Sequence, residues 1–567
     1  MSSEKPYASY IPAHALLQQS GASKDSLWKS KMVICKLKTQ RAMWRSVCVA
    51  SLLAIGGCAT KPHPESGIKW LPACEDIPGD VLDPEVFART ECGIVTVPLD
   101  HLNPRVGTLS LDITRVAARQ PHLREGAIFT NPGGPGSNGN STFTVLLASI
   151  WKGYSDGLGG GPYRHLTDAY DVIGITPRGQ GGTADSQLVC QSDEMIVAQN
   201  DITEDRSPAN LMAIEHNAGV LARGCASQRL APFINTDQTA RDMEFVRVLL
   251  NENKLNYFGN SYGTWLGAWY AGLYPKRVGR MVLDSNVDWT STFQNASLSV
   301  APEKERIFAD FVAQLAASNP QAYQMGNDPM AIREIFLRLL PPVRVALRSD
   351  NDFYSSAHHL MAARALSDWL HDSPDLDDTV LLARAQIHRF SPDTEVDQGA
   401  RQAFASLLAV VRQPAPWNGL VPGPLKMTPA DSVRSTVLCN DTASSDDTFW
   451  TEKENRYASR YPVGGSFFPA RHCAGWSGKQ YAGVPLAKLA QVHSIVMVQA
   501  QYDDQTPRAG ALNAFASLPN THMTLVSDAY LHGVSFAANN ACVNRNVGEY
   551  LAYGRKPERF STCFASD

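Results

Sequence analysis

"FGNSYGTWLG", residues 258–267, sets a single serine between glycines in the pattern Gly259-x-Ser261-x-Gly263. A strand-like run, "LNYFG" (255–259), precedes it, and a stretch rich in small residues, "TWLGAWYAGLYP" (264–275), follows. This is the signature of a nucleophile elbow, a sharp strand-to-helix turn that holds the serine in a strained backbone conformation and admits only glycine beside it. Such a pentapeptide arises by chance on the order of 0.2 times in a chain of this length and composition, so the surrounding sequence must support it.

Upstream, "CGIVTVPLD" (92–100) and "LSLDITRVAA" (109–118) alternate like edge strands. "GAIFTNPGG" (126–134) and "YDVIGIT" (170–176) are continuous apolar runs of the kind buried on both faces of a parallel sheet. "TARDMEFVRVLLNE" (239–252) has helical spacing, and "RMVLDSN" (280–286) predicts another strand after the elbow helix. Strands alternating with helices imply an α/β fold with a mostly parallel central sheet flanked by helices. From about 290 to 485 the pattern turns helical, as in "EKERIFADFVAQLAA" (303–317) and "AIREIFLRLLPPVRVALR" (331–348). Sheet signals resume with a strand in "HSIVMVQAQYDDQTP" (493–507), a helix at 508–518, a strand at 522–528 and a last helix near 543–552. The helical stretch reads as a cap inserted above the sheet.

A serine hydroxyl needs a base, a group to orient that base, and donors for the oxyanion. In α/β-hydrolases these follow in the order serine, acid, histidine. Asp503 and Asp504 lie just past one late strand, where such sheets place their ligands, and His532 follows the next strand with Gly533 beside it. His522 and Asp528 are nearby competitors, but the first should open a strand and the second should sit on one. The loop "NPGGPGSNG" (131–139) can present backbone N–H groups, so Gly134 and Tyr262 are the candidate oxyanion donors. A phosphate cradle is a poorer reading, because the P-loop lysine and the G-x-G-x-x-G spacing are missing.

The chain has 567 residues, 44% hydrophobic, with 51 basic and 55 acidic residues. No fixed repeat and no strongly basic run appear, which argues against solenoids and nucleic-acid partners. Lys36, Lys38, Arg41 and Arg45 precede an apolar run from Val47 to Ile55 that is too short to span a bilayer and suits a signal peptide, with Met32 or Met43 as alternative starts. The run ends in Ile55-Gly56-Gly57-Cys58, which resembles a lipobox, and Ala59 in place of aspartate points to the outer membrane; an ordinary signal peptide and a periplasmic or secreted protein are the alternative. Without residues 1–57 the balance is 43 basic against 53 acidic residues, a net charge of about −10. Eight of the eleven cysteines lie beyond Cys58, an even number that suggests disulfides in an exported protein. They fall into the local couples Cys74 with Cys92, Cys190 with Cys225, Cys439 with Cys473 and Cys542 with Cys563, among 105 possible connectivities. With no C-x-x-C and no H-E-x-x-H, neither metal nor other cofactor is expected.

"NPGGPGSNG", "DVIGITPRGQGGTADS", "GNSYGTWLGAWYAGLYPKRVGRMVLDSNVDW", "YDDQTPRAGA" and the late "LHG" together resemble the secreted tripeptidyl aminopeptidase group, relatives of prolyl aminopeptidases in the α/β-hydrolase superfamily. In that family Asp-x-x-Thr-Pro carries the triad acid, which maps onto Asp503 ahead of Thr506-Pro507 and favours it over Asp504. Thr176 stands where the family's Asp-x-Arg-Gly has its acid, and "LDSN" (283–286) where Asp-Gly-Val is common. The resemblance implies a serine exopeptidase acting on short peptides from a free N-terminus, with Ser261, Asp503 and His532 as triad. A carboxylesterase or lipase on the same fold is the alternative, and a non-catalytic binding lipoprotein a more distant one. The organisation expected is a signal region (1–57), a tether (58–90), the first part of the core (91–289), the cap (290–485) and the C-terminal part of the core (486–567), with membrane contact only through a lipid on Cys58.

Overall fold

The apolar runs either side of the elbow form the middle of one ten-stranded sheet. The computed structural model describes residues 67–567 apart from 75–76, 78–82, 138–139, 158–159, 350–356, 413–419 and 466–469. The signal region and Cys58 lie outside the described residues. The strands are β1 (Ile68–Trp70), β2 (Thr90–Pro98), β3 (Thr108–Val116), β4 (Gly126–Asn131), β5 (Tyr170–Ile175), β6 (Gln191–Ile196), β7 (Leu255–Asn260), β8 (Val278–Asp284), β9 (Gly423–Lys426), β10 (Ile495–Tyr502), β11 (His522–Tyr530) and β12 (Phe560–Phe564). Their order in the large sheet is β1-β2-β3-β5-β4-β7-β8-β10-β11-β12. The pairings from β5 to β12 are parallel, while β1, β2 and β3 form an antiparallel edge.

Side-chain alternation divides the core between the sheet's two faces. Phe129, Ile173, Tyr257, Met281, Leu283 and Met497 share one apolar cluster with helices Thr236–Leu249, Tyr262–Leu273 and Arg508–Ser517. Their immediate neighbours Ile128, Val172, Phe258, Val282, Val496 and Val498 share the other, with helices Asn140–Asp156, Gly160–Ala169 and Ala541–Tyr553. Every residue of β4 and β5 is buried, as expected for strands covered on both sides.

The helices between β8 and β10 form two groups. Those from Phe308 to Leu408 share their own apolar core, joined by Val463 and Tyr502. The later ones, with Val433, Val437, Trp450 and Leu489, belong to the main cluster. Asp441, at the end of helix Pro429–Asp441, accepts hydrogen bonds from Trp265 Nε1 at 3.0 Å and Thr236 N–H at 2.8 Å, tying this group to the elbow helix. Two stretches expected as single helices are interrupted. Pro341 supplies no N–H and starts a new helix, Pro341–Ser349, after Pro329–Arg338. A π-helical turn, Phe308–Val312, separates Phe293–Ile307 from Ala313–Ser318.

Disulfide bonds join Cys74 to Cys92, Cys190 to Cys225, Cys439 to Cys473 and Cys542 to Cys563. The second closes an unforeseen subdomain in which helix Pro208–Ala226 packs beside the two-stranded sheet of β6 and β9.

Arg178, in the loop after β5, is the most deeply buried cation of the sheet's edge. Its guanidinium donates to both carboxylate oxygens of Asp242 at 2.8 and 2.7 Å and to the carbonyls of Leu99 at 2.8 Å and Phe233 at 3.1 Å. His101 Nε2 lies 2.7 Å from the same Asp242. One side chain thus ties the β5 loop to β2 and to helix Thr236–Leu249. Arg178→Ala strands Asp242 without its main partner, and equilibrium urea unfolding should show a loss of about 3–5 kcal/mol. Arg178→Lys should recover only part, since an ammonium cannot reproduce the two-pronged contact.

Candidate active site

Ser261 is the hinge between β7 and helix Tyr262–Leu273, with φ 56° and ψ −125°. A side chain in that region is strained, and the contacts around it explain why the elbow demands glycine. A Cβ on Gly259 would meet the Gly263 carbonyl oxygen at 2.5 Å, and one on Gly263 would meet the Asn131 carbonyl oxygen at 2.6 Å. The third close approach comes from the β4 loop, where a Cβ on Gly133 would lie 2.7 Å from Ser261 Cβ. Gly133 and Gly134 have φ of 107° and 112°, open to glycine alone. Asn131 Oδ1 accepts the Gly133 N–H at 2.9 Å and so holds this loop against the elbow. Among the described residues neither the Gly134 nor the Tyr262 N–H has a hydrogen-bond acceptor. Gly133, which the sequence reading passed over, is therefore the residue that brings the candidate oxyanion loop up to Ser261.

His532 and Asp503 meet beyond the ends of β11 and β10. His532 Nδ1 is 3.0 and 3.1 Å from the two oxygens of Asp503, whose side chain is fully buried. The carboxylate also accepts from Thr506 N–H and Oγ1, each at 2.8 Å, and from Gln505 N–H at 3.0 Å. These bonds give the Asp-x-x-Thr spacing a physical reason. Asp504 turns the other way, 3.7 Å from Lys304 Nζ of the cap. His522 opens β11 at the far end from His532, with Nδ1 2.8 Å from the Pro557 carbonyl, and Asp528 is an exposed residue of β11.

Burial opposes the charge on both partners, but their mutual attraction prevails. It holds Asp503 below the ordinary carboxylate value, and with Asp504 and Asp284 it lifts His532 above the ordinary imidazole value. With Nδ1 engaged by the carboxylate, Nε2 of the neutral ring is left to accept a proton.

Two further residues, Asp284 and Ser285 at the end of β8, link the histidine to the serine. The Asp284 carbonyl accepts the Ser261 N–H at 3.0 Å. Its carboxylate accepts Val534 N–H at 3.1 Å, Ser535 N–H at 2.7 Å and Ser535 Oγ at 2.5 Å, and Ser285 Oγ accepts Gly533 N–H at 2.7 Å. Burial pushes Asp284 up to about 6 despite these donors. Ser285 has φ 56°, the left-handed region, at the position where the resembled family has glycine. The "LDSN" departure was therefore the visible signal of this contact.

Among the described residues, two groups of side chains have metal-ligand proximity, Cys439 with His472 and Cys473, and Cys542 with Cys563 and Asp567. In each, the sulfurs are bonded to one another and are not thiolate ligands.

A family model described as TAP-like protein matches residues 461–563, the part that carries Asp503 and His532. One described as alpha/beta hydrolase fold matches residues 156–328, around the elbow. The chain has the α/β-hydrolase fold, and its C-terminal part is similar to the TAP-like family. This serine hydrolase is 27% identical to a tripeptidyl aminopeptidase of Streptomyces lividans, with 88% of this chain and 87% of the relative covered. It is 24% identical to the serine protease Hip1 of Mycobacterium tuberculosis over 91% and 95%. It is also 30% identical to carboxylesterase B of the same organism, over 51% of this chain and 57% of the relative.

Removing the Asp284 carboxylate leaves the Val534 and Ser535 N–H groups of the hydrolase unpaired and releases the loop behind His532. Asp284→Ala should lower kcat by about 10²-fold with KM little changed, the size expected for a misplacement of about 1 Å. Steady-state kinetics on variants shown by circular dichroism to be folded will check it.

Proposed function

We propose that the hydrolase is an exported serine exopeptidase that releases short N-terminal peptides through an acyl-enzyme. The observation that carries this reading is the contact of His532 Nδ1 with Asp503 at 3.0 Å, on a loop bonded through Asp284 and Ser285 to the backbone of Ser261. In this mechanism His532 Nε2 takes the Ser261 hydroxyl proton as Oγ attacks the substrate carbonyl. Asp503 stabilises the imidazolium, and the N–H groups of Gly134 and Tyr262 receive the oxyanion. The tetrahedral intermediate collapses as His532 gives its proton to the leaving amine. Water, deprotonated by the same histidine, then attacks the acyl-enzyme and frees Ser261.

The names of the two long-range relatives support a peptide substrate. A second reading, carboxylester hydrolysis, is favoured by the relative at 30% identity. Export is supported by the signal-like region and four disulfides, and no described helix is long and apolar enough to cross a membrane. We assign residues 1–57 to the signal, 58–90 to a tether, 91–289 and 486–567 to the core and 290–485 to the cap. Cys58 is the site of lipid attachment at the outer membrane, tested by the loss of lipid-precursor labelling in Cys58→Ala.

Mass spectrometry of products from one peptide in free and N-acetylated forms separates the readings. Cleavage of the free form alone, lost in Ser261→Ala, is the expected result; hydrolysis of p-nitrophenyl esters with both peptides intact would replace it by the esterase. A pH profile probes the base. Because His532 must be neutral to act and its proton is held more tightly than usual, kcat/KM should rise with pH and reach half its plateau above the ordinary histidine value of about 6.5.

A further inference from the structure

The cap's own helical body contains a pocket of about 600 Å³ whose lining includes none of the proposed triad. That volume is within the range of small-molecule sites. Its floor is apolar: Trp369, Phe390, Tyr323, Met325 and Met361, each 5 to 8% exposed. Arg364 and Arg389 lie among the other lining residues, both exposed.

The state of those arginines is the telling observation. Arg306, Arg333, Arg344, Arg348, Arg401 and Arg412 of the same body each pair with a carboxylate, while Arg338 and Arg384, outside the lining, do not pair with one among the described residues. Among the described residues, Arg364 donates only to the Gln324 carbonyl at 3.4 Å, and Arg389 only to the carbonyls of Ser391 at 3.3 Å and Pro392 at 3.5 Å. Asp368, the acid in the lining, is exposed and forms an ion pair with neither. Burial and Arg384 hold His388 below the ordinary imidazole value, so it adds no charge at neutral pH. Two fixed positive charges therefore face one negative charge.

The loop bearing Arg389 is held in shape. Asp397 Oδ1 accepts the N–H groups of Phe390 at 2.7 Å and Ser391 at 3.1 Å, and Ser391 Oγ donates to the Ala322 carbonyl at 2.6 Å. Trp369 is fixed between the edge of His388, at 5.3 Å, and the guanidinium of Arg384, 4.2 Å above its ring. An ordered loop beside an ordered aromatic floor lowers the cost of fixing a ligand.

We infer that this pocket binds a small amphipathic monocarboxylate, its anion held by Arg364 and Arg389 and its apolar body laid on Trp369 and Phe390. The C-terminal residue of a short peptide and a free aryl or branched-chain acid share that chemistry. The negative charge of Asp368 disfavours dianions.

Isothermal titration of the Ser261→Ala variant, which cannot turn substrate over, provides the test. N-acetylphenylalanine stands for the peptide end, 3-phenylpropionate for the free acid and N-acetylphenylalaninamide for the uncharged control. We expect at least one acid to bind at a single site and the amide at least about tenfold more weakly, the loss of a charge-assisted contact. Arg364→Ala/Arg389→Ala, two exposed positions, should weaken acid binding by at least about tenfold and leave the circular dichroism spectrum unchanged. Tighter binding of N-acetylphenylalanine identifies the peptide end, and tighter binding of phenylpropionate the free acid. Equal affinity for acid and amide, indifference to the double substitution, or no heat up to about 10 mM would overturn the inference.

Discussion

Three loops from three different strands must meet within a fraction of an ångström before a serine, a histidine and a carboxylate can act on one carbonyl. Here the register between two of them is set by neither strand directly but by residues 284 and 285 at the end of a third. Asp284 grips the serine's backbone with its carbonyl and the histidine's loop with its carboxylate. A buried carboxylate is costly, as its rise to about 6 records, and the donors from Val534 and Ser535 offset that cost. The arrangement makes the end of β8 the common reference for β7 and β11, which are not neighbours in the sheet.

The cap is coupled to the same strand ends by different forces. Arg306 donates to the Gln501 carbonyl at 3.2 Å and lies 5.0 Å over the Tyr502 ring. Phe311, on the π-helical turn, packs against Tyr502 and Tyr530, the residues that lead toward Asp503 and His532. Together with Lys304 and Asp504, these contacts seat the helical body on the loops that carry Asp503 and His532. The second helical group is anchored instead to the elbow helix, through Asp441 and Trp265. The two groups thus contact different parts of the candidate site, one the segments next to Asp503 and His532 and the other the helix that follows Ser261.

What the sequence made legible was what local pattern dictates. The buried strands β4, β5, β7 and β8 are short apolar runs, and the elbow's glycines are needed by contacts within a few residues of Ser261. Asp503 over Asp504 followed from Thr506, whose bonds to the carboxylate span only three positions. Other features depend on partners far along the chain. β6 and β9 lie more than 200 residues apart, and each is too short and polar to announce itself as a strand. β12 exposes most of its residues at the sheet's edge and was not expected. Asp284 gave no sign of its reach to Ser535, 251 residues away. The interruption at Pro341 was visible as a proline pair, yet the helical spacing on both sides masked it.

The disulfides close loops of 18 to 35 residues, and none has an end in the helical body between Phe293 and Arg412, where no cysteine occurs. That body is therefore attached to the rest of the protein by packing, ion pairs and its two chain connections, while the sheet and the elbow side are cross-linked. A change in redox environment therefore alters the staples of the sheet and the elbow side directly, whereas the contacts that seat the helical body, being ion pairs and packing, contain no bond that a reductant can break.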